Sequence, residues 1–169
     1  MRRFKALGQV AVTALAAVIT CAPLAQAAAP DLGTSRRGGD EKVIELVDIL
    51  RDSTLIDQDP PGLSLGDEAV GNGELFQNDQ SVGSEGFVCT VVSLQPDLRE
   101  CEVTLRLAKG DITLQGLAPV ISGFPTNFTL AITGGTGIYR NASGFVNGTN
   151  VNDTETDLTL HLSDVRGND

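Results

Sequence analysis

The chain has 169 residues, with 22 acidic side chains against 12 Lys and Arg and a formal net charge of −10. An acidic balance of that size excludes nucleic acid and anionic membrane surfaces as natural partners, because both select basic patches. With 19 Gly, one Tyr and no Trp, the composition suits many short strands joined by tight turns better than a helical bundle.

The first residues read as an export leader. Arg2, Arg3 and Lys5 form a positive start, Val10 to Ala22 is mostly apolar but short for a bilayer span, and Ala25-Gln26-Ala27 has the small-x-small pattern of a cleavage site. The reading is a secretory signal peptide over residues 1–27, no stable membrane anchor, and a mature protein that is extracellular or periplasmic. Cys21 lacks the residues of a lipid-attachment motif before it and leaves with the leader. Three basic and no acidic residues go with it, leaving nine against 22, a net charge of −13 on about 140 residues. That length suits one domain with one core. Residues 28–40 are polar and Gly-containing and read as a flexible linker, 41–165 as the domain, and 166–169 as a tail.

Within the domain, the run EKVIELVDILR from Glu41 to Arg51 fits two periods. Val43, Leu46, Val47 and Leu50 have helical spacing, while Val43, Glu45, Val47 and Ile49 alternate as one face of a strand. Asp57 to Gly66, with Pro60, Pro61 and Gly62, is a loop. After it come strand-like runs at 74–78, 85–94, 100–108, 111–117, 129–133, 144–151 and 157–163, with turn chemistry at each boundary. The densest of these boundaries is LAITGGTGIYRNASGFV, residues 130–146. There Gly134, Gly135 and Gly137 suit a sharply turning backbone, and neither the Lys nor the helix of a phosphate loop follows. Counting the first run as a strand gives about eight. Eight short antiparallel strands in one small all-β domain fit a closed barrel, filled by side chains or holding one small ligand, with a sandwich as the alternative on pattern alone.

Cys89 and Cys101 remain for an oxidising compartment. They lie at equal distances from the turn Gln95-Pro96-Asp97. As a hairpin, the flanking runs set Cys89 opposite Cys101, Phe87 opposite Val103 and Glu85 opposite Leu105. A cross-strand disulfide with apolar neighbours on the same face follows.

The ordered set Leu65-Gly66-Asp67, Leu75-Phe76, Gly83 leading into Cys89-Thr90-Val91-Val92, residues 110–116 (GDITLQG), and residues 131–139 (AITGGTGIY) closing on Gly144-Phe145-Val146 resembles the allene oxide cyclase barrel family and its relatives, the dirigent proteins. The resemblance runs from about Val43 to the last strand. It implies an eight-stranded antiparallel barrel with an apolar cavity, often assembled as a homotrimer, and no metal or organic cofactor. Its members hold a small apolar metabolite in one conformation while it cyclises or couples, using orientation, exclusion of water and a few placed polar groups. A non-catalytic secreted barrel that binds a hydrophobic ligand, or a structural barrel, is the alternative.

Carried over residue by residue, Val43-Ile44-Glu45 matches the family's V-x-E strand. That tips the first run toward a strand and makes Glu45, pointing inward with Val43, Val47 and Ile49, the leading catalytic carboxylate. Cys89 matches a cavity cysteine of the cyclases, but in a disulfide it serves neither as thiolate nor as proton relay. The cyclases' second-strand asparagine falls at Gly73, and their polar residue after the glutamate falls at Val47. Ser143 stands where dirigent proteins carry an arginine. Glu85, inward by parity with Phe87 and Cys89, is the second catalytic candidate, and Phe87, Val103 and Leu105 are the candidate cavity lining. His161 falls with Thr159 on the face opposite Leu158, Leu160 and Leu162 and reads as exposed. No Ser/His/Asp set or metal-ligand spacing occurs. The sequons at Asn127, Asn141, Asn147 and Asn152 matter only in a host that glycosylates.

Overall fold

The computed structural model describes residues 41–121, 124–125 and 127–163. The expected leader, linker and tail, Cys21 among them, lie outside the described residues. The strands are β1 (Lys42–Ile56), β2 (Glu68–Gln77), β3 (Gln80–Leu94), β4 (Asp97–Leu107), β5 (Gly110–Ile121), the two-residue β6 (Phe124–Pro125), β7 (Phe128–Gly135), β8 (Ser143–Asn152) and β9 (Glu155–Ser163), with a 3-10 turn at Gly137–Tyr139 between β7 and β8. β6 pairs only with the end of β5. The other eight run antiparallel, each beside the next, and β9 returns to β1, so the sheet closes into an up-and-down barrel.

Local chemistry explains the turns. Asn78 and Asp79 both hold positive φ (51° and 61°), as a two-residue hairpin between right-twisted strands requires. The glycine cluster works by close approach: a Cβ on Gly137 (φ +57°) would overlap the Lys109 carbonyl. The cluster therefore lets the turn after β7 seat against the β4–β5 turn.

The β3–β4 register matches the expected hairpin, with Cys89 opposite Cys101, Phe87 opposite Val103 and Glu85 opposite Leu105. Cys89 and Cys101 are joined by a disulfide across Cα atoms 4.1 Å apart. Several strands are longer than their sequence runs. β2 and β3 extend back through Gly71, Gly73 and Gly83, where glycines hide the alternation.

β1 is a strand, as the resemblance implied, but its faces are reversed. It pairs with β9 so that Ile44 meets Leu160 and Leu46 meets Leu158. Directly opposed residues share a face, so Ile44, Leu46, Asp48 and Leu50 point inward with the β9 leucines. Val43, Glu45, Val47 and Ile49 point out.

One end of the barrel is filled. Leu75, Leu105, Ile112, Val146, Leu160 and Leu162 are wholly buried there, with Leu46, Ile132 and Tyr139 packed around them. At the opposite end β1 runs on past β9 as an arm laid along β2, which itself stays paired with β3 throughout. β1 pairs with β9 only as far as Ile49, whereas its residues 52–56 pair with β2 alone. The connecting loop is pinned by Asp67. Its carboxylate accepts from the Gln58 and Ser64 amides at 3.0 and 2.7 Å and from Ser64 Oγ at 3.0 Å. Those bonds hold the Asp67 pKa below the usual carboxylate range.

Candidate functional site

Two residues along each strand from the filled end, the inward side chains change in kind. Leu46 gives way to Asp48 on β1, Leu75 to Gly73 on β2 and Val146 to Gly148 on β8. The result is a cavity of about 140 Å³, with Asp48, Glu85, Phe87, the Cys89–Cys101 disulfide, Val103 and Phe128 in its wall and Asp153 and Thr154 of the β8–β9 turn at its mouth. That volume suits a small compound of one or two fused rings held in the barrel.

Glycines make the space. Phe87 lies directly across from Gly71, and Phe128 from Gly148. A Cβ on either glycine would overlap the ring beside it, so each aromatic ring rests on bare backbone. Gly73 sits opposite Glu85. A Cβ there would overlap Asp48 Oδ1 and stand 3.0 Å from Glu85 Oε2. The slot left by the missing side chain is where the two carboxyl groups meet.

Asp48 Oδ1 and Glu85 Oε2 are buried, and the rest of the protein offers neither a hydrogen-bond donor. Two ionised carboxylates cannot share such a site; one proton between them relieves both. Burial, reinforced by hydrogen bonding to Asp48 and by its charge, pushes the Glu85 pKa up to about 9. Burial also raises Asp48, while the hydrogen bond from Glu85 lowers it. Glu85 is therefore the protonated member at neutral pH and Asp48 the anion. Environments that separate two carboxyl pKa values in this way assign one group as acid and the other as base.

The expected site residues divide accordingly. Glu85 is inside and at the centre of the cavity wall, with Phe87 and Val103 beside it. Leu105 is inward but belongs to the filled end. Glu45 is on the outer surface, opposite Thr159, with its carbonyl accepting from Gln77 Nε2 at 3.1 Å. Its expected inward direction is corrected by the β1–β9 register, and the carboxylate that β1 sends into the cavity is Asp48. His161 is on the outer face as expected, stacked on Phe145 at 4.5 Å with Nδ1 2.9 Å from Glu41 Oε1. No sequence signal placed Asp48 inside, because antiparallel closure alone leaves the parity open; the register that sets Leu46 opposite Leu158 and Asp48 opposite Thr156 decides it. Among the described residues no three His, Cys, Asp or Glu side chains gather as a metal site.

A family model described as "Allene oxide cyclase barrel like domain" matches residues 47–160. No curated protein sequence matches the chain. Among solved structures, a pyocyanin demethylase is 28% identical, with a TM-score of 0.65 over 72% of this chain and 100% of its own. The pterocarpan synthase dirigent protein GePTS1 is 14% identical, with a TM-score of 0.55 over 73% of this chain and 90% of its own. AbnU, described as an exo-specific intermolecular Diels-Alderase, is 14% identical, with a TM-score of 0.56 over 73% and 98%. The last two share the fold alone.

Proposed function

The chain belongs to the allene oxide cyclase barrel-like family, and from that premise we propose that it is an exported barrel which takes a small, flat, largely apolar metabolite into its cavity and catalyses a proton-transfer isomerisation or cyclisation there. The observation that carries the reading is the Asp48–Glu85 pair, buried in the cavity wall with no hydrogen-bond donor to Asp48 Oδ1 or Glu85 Oε2 from the rest of the protein.

The chemistry follows from the two protonation states. Glu85, neutral at pH 7, donates its proton to a heteroatom of the bound molecule as charge develops on it. Asp48 takes a proton from an adjacent carbon. The two groups end with their charges exchanged, and one proton passing between them restores the starting state. Phe87, Phe128 and the disulfide exclude water and hold the ring in place, which strengthens both transfers. Among its structural neighbours are proteins described as a dirigent protein, a Diels-Alderase and a demethylase. They support a barrel that directs the fate of a ring compound without fixing which one. Export is supported by the N-terminal pattern and by the disulfide.

The test uses 2-indanone, a small bicyclic ketone whose α-protons exchange in D2O and are followed by NMR. The protein is expected to accelerate that exchange well above the buffer rate. Asp48→Asn and Glu85→Gln should each lower it by about 10²-fold or more, with Glu45→Gln unchanged. Exchange at the buffer rate, or equal loss on Glu45→Gln, overturns the proposal.

A further inference from the structure

The carboxyl pair and its cavity also bear on the charge of what binds, an inference that rests on the cavity being the ligand site. Every charged side chain in the cavity wall is acidic: Asp48 and Glu85 within, Asp153 at the mouth. No Lys, Arg or His lines it among the described residues. The basic residues near that end are engaged elsewhere, Arg51 with Glu74 on the outside and Arg99 beside Asp97 under the arm. Asp48 is 8% exposed, and its Oδ1 has no donor from outside the carboxyl pair. The two aromatic residues of the wall are phenylalanines, whose rings attract cations and supply no hydrogen-bond donor.

From this arrangement we infer that the cavity selects flat aromatic cations over neutral or anionic rings of the same shape. A cation entering an apolar cavity loses its hydration and is stable there only opposite a fixed negative charge. The shared-proton pair supplies one such charge and the two phenylalanines add to it. An anion meets the reverse: the same loss of hydration, repulsion from Asp48, and no cationic side chain in the wall to offset either. The overall charge of −10 raises the local concentration of cations at the mouth as well.

The experiment compares three ligands of one shape on the unaltered protein by calorimetric titration at pH 7: N-methylquinolinium, quinoline, which is neutral at that pH, and 1-naphthoate. N-methylquinolinium is expected to bind about tenfold or more tighter than quinoline, with 1-naphthoate weakest. In Asp48→Asn the cation's advantage should shrink to about threefold or less, while quinoline keeps its affinity. Glu85→Gln, which removes the protonated member and leaves the anion, should retain the preference. Quinoline binding as tightly as N-methylquinolinium, or 1-naphthoate binding best, overturns the inference and leaves the cavity as the ligand site. Binding of none of the three to the folded protein overturns both.

Discussion

The filled and hollow ends of this barrel are built from the same strands in the same alternation, and they differ only in what stands at successive inward positions. The filled end is packed with branched aliphatic side chains, six of them wholly buried. A step of two residues replaces leucine by glycine on β2, valine by glycine on β8 and leucine by aspartate on β1. Closure fixes the wall, and three glycines then decide where it encloses space. A carboxyl pair that would be intolerable among the leucines is accommodated beside Gly73, where its charge faces a cavity.

This contrast makes stability and ligand handling separable. Leu105→Ala, at the filled end, should cost about 2–5 kcal/mol in urea unfolding and leave affinity for a cavity ligand unchanged; an equal loss of binding would mean that the two ends are not independent. The double change Cys89→Ala/Cys101→Ala removes a link closing a 12-residue separation and should cost about 3 kcal/mol, with ligand affinity also reduced because the sulfurs line the cavity. Glu85→Gln works in the opposite direction. Glu85 is held protonated in the folded barrel up to about pH 9 but ionises in the unfolded chain near its usual value. Between those values the unfolded state binds fewer protons, so stability falls as pH rises. The variant removes that fall. It should match the wild type at pH 4 and exceed it by about 1–3 kcal/mol at pH 8, as read from unfolding midpoints across pH. Glu45→Gln, on the outer wall, should move stability by less than about 0.5 kcal/mol. A larger effect would mean that the outer face is itself engaged.

Sequence carried the β3–β4 hairpin better than β1. The cysteine spacing set the β3–β4 register, and with it the inward direction of Glu85, because a disulfide admits few alignments. β1 went the other way. Val43, Val47 and Ile49 outside and Ile44, Leu46 and Leu50 inside make both faces apolar, so alternation does not choose between them. An aspartate in such a strand looks like its solvent-facing member. Only the pairing with β9 decides, and that contact joins residues 42–49 to residues 155–162, the two ends of the domain. Gly73 was legible as a departure from the cyclase pattern, but its meaning lies in two neighbours 25 and 12 residues away.

The arm beyond the barrel has a consequence for how the protein keeps apart from its own kind. Closure gives most backbone amides a partner in the next strand. Residues 52–56 of β1, however, hydrogen-bond on the β2 side only, with Leu55 74% exposed and Ile56 41%. A bare strand margin with apolar tips is a template on which further chains stack. The residues around this one read as protection against that outcome: Arg51 and Asp52 put charge on the strand, Asp57 and Asp59 follow it, and Pro60-Pro61 cannot donate to an added ladder. At the concentrations reached during refolding, these few side chains would keep the arm solvated, sparing the hollow end beside it from burial in an aggregate.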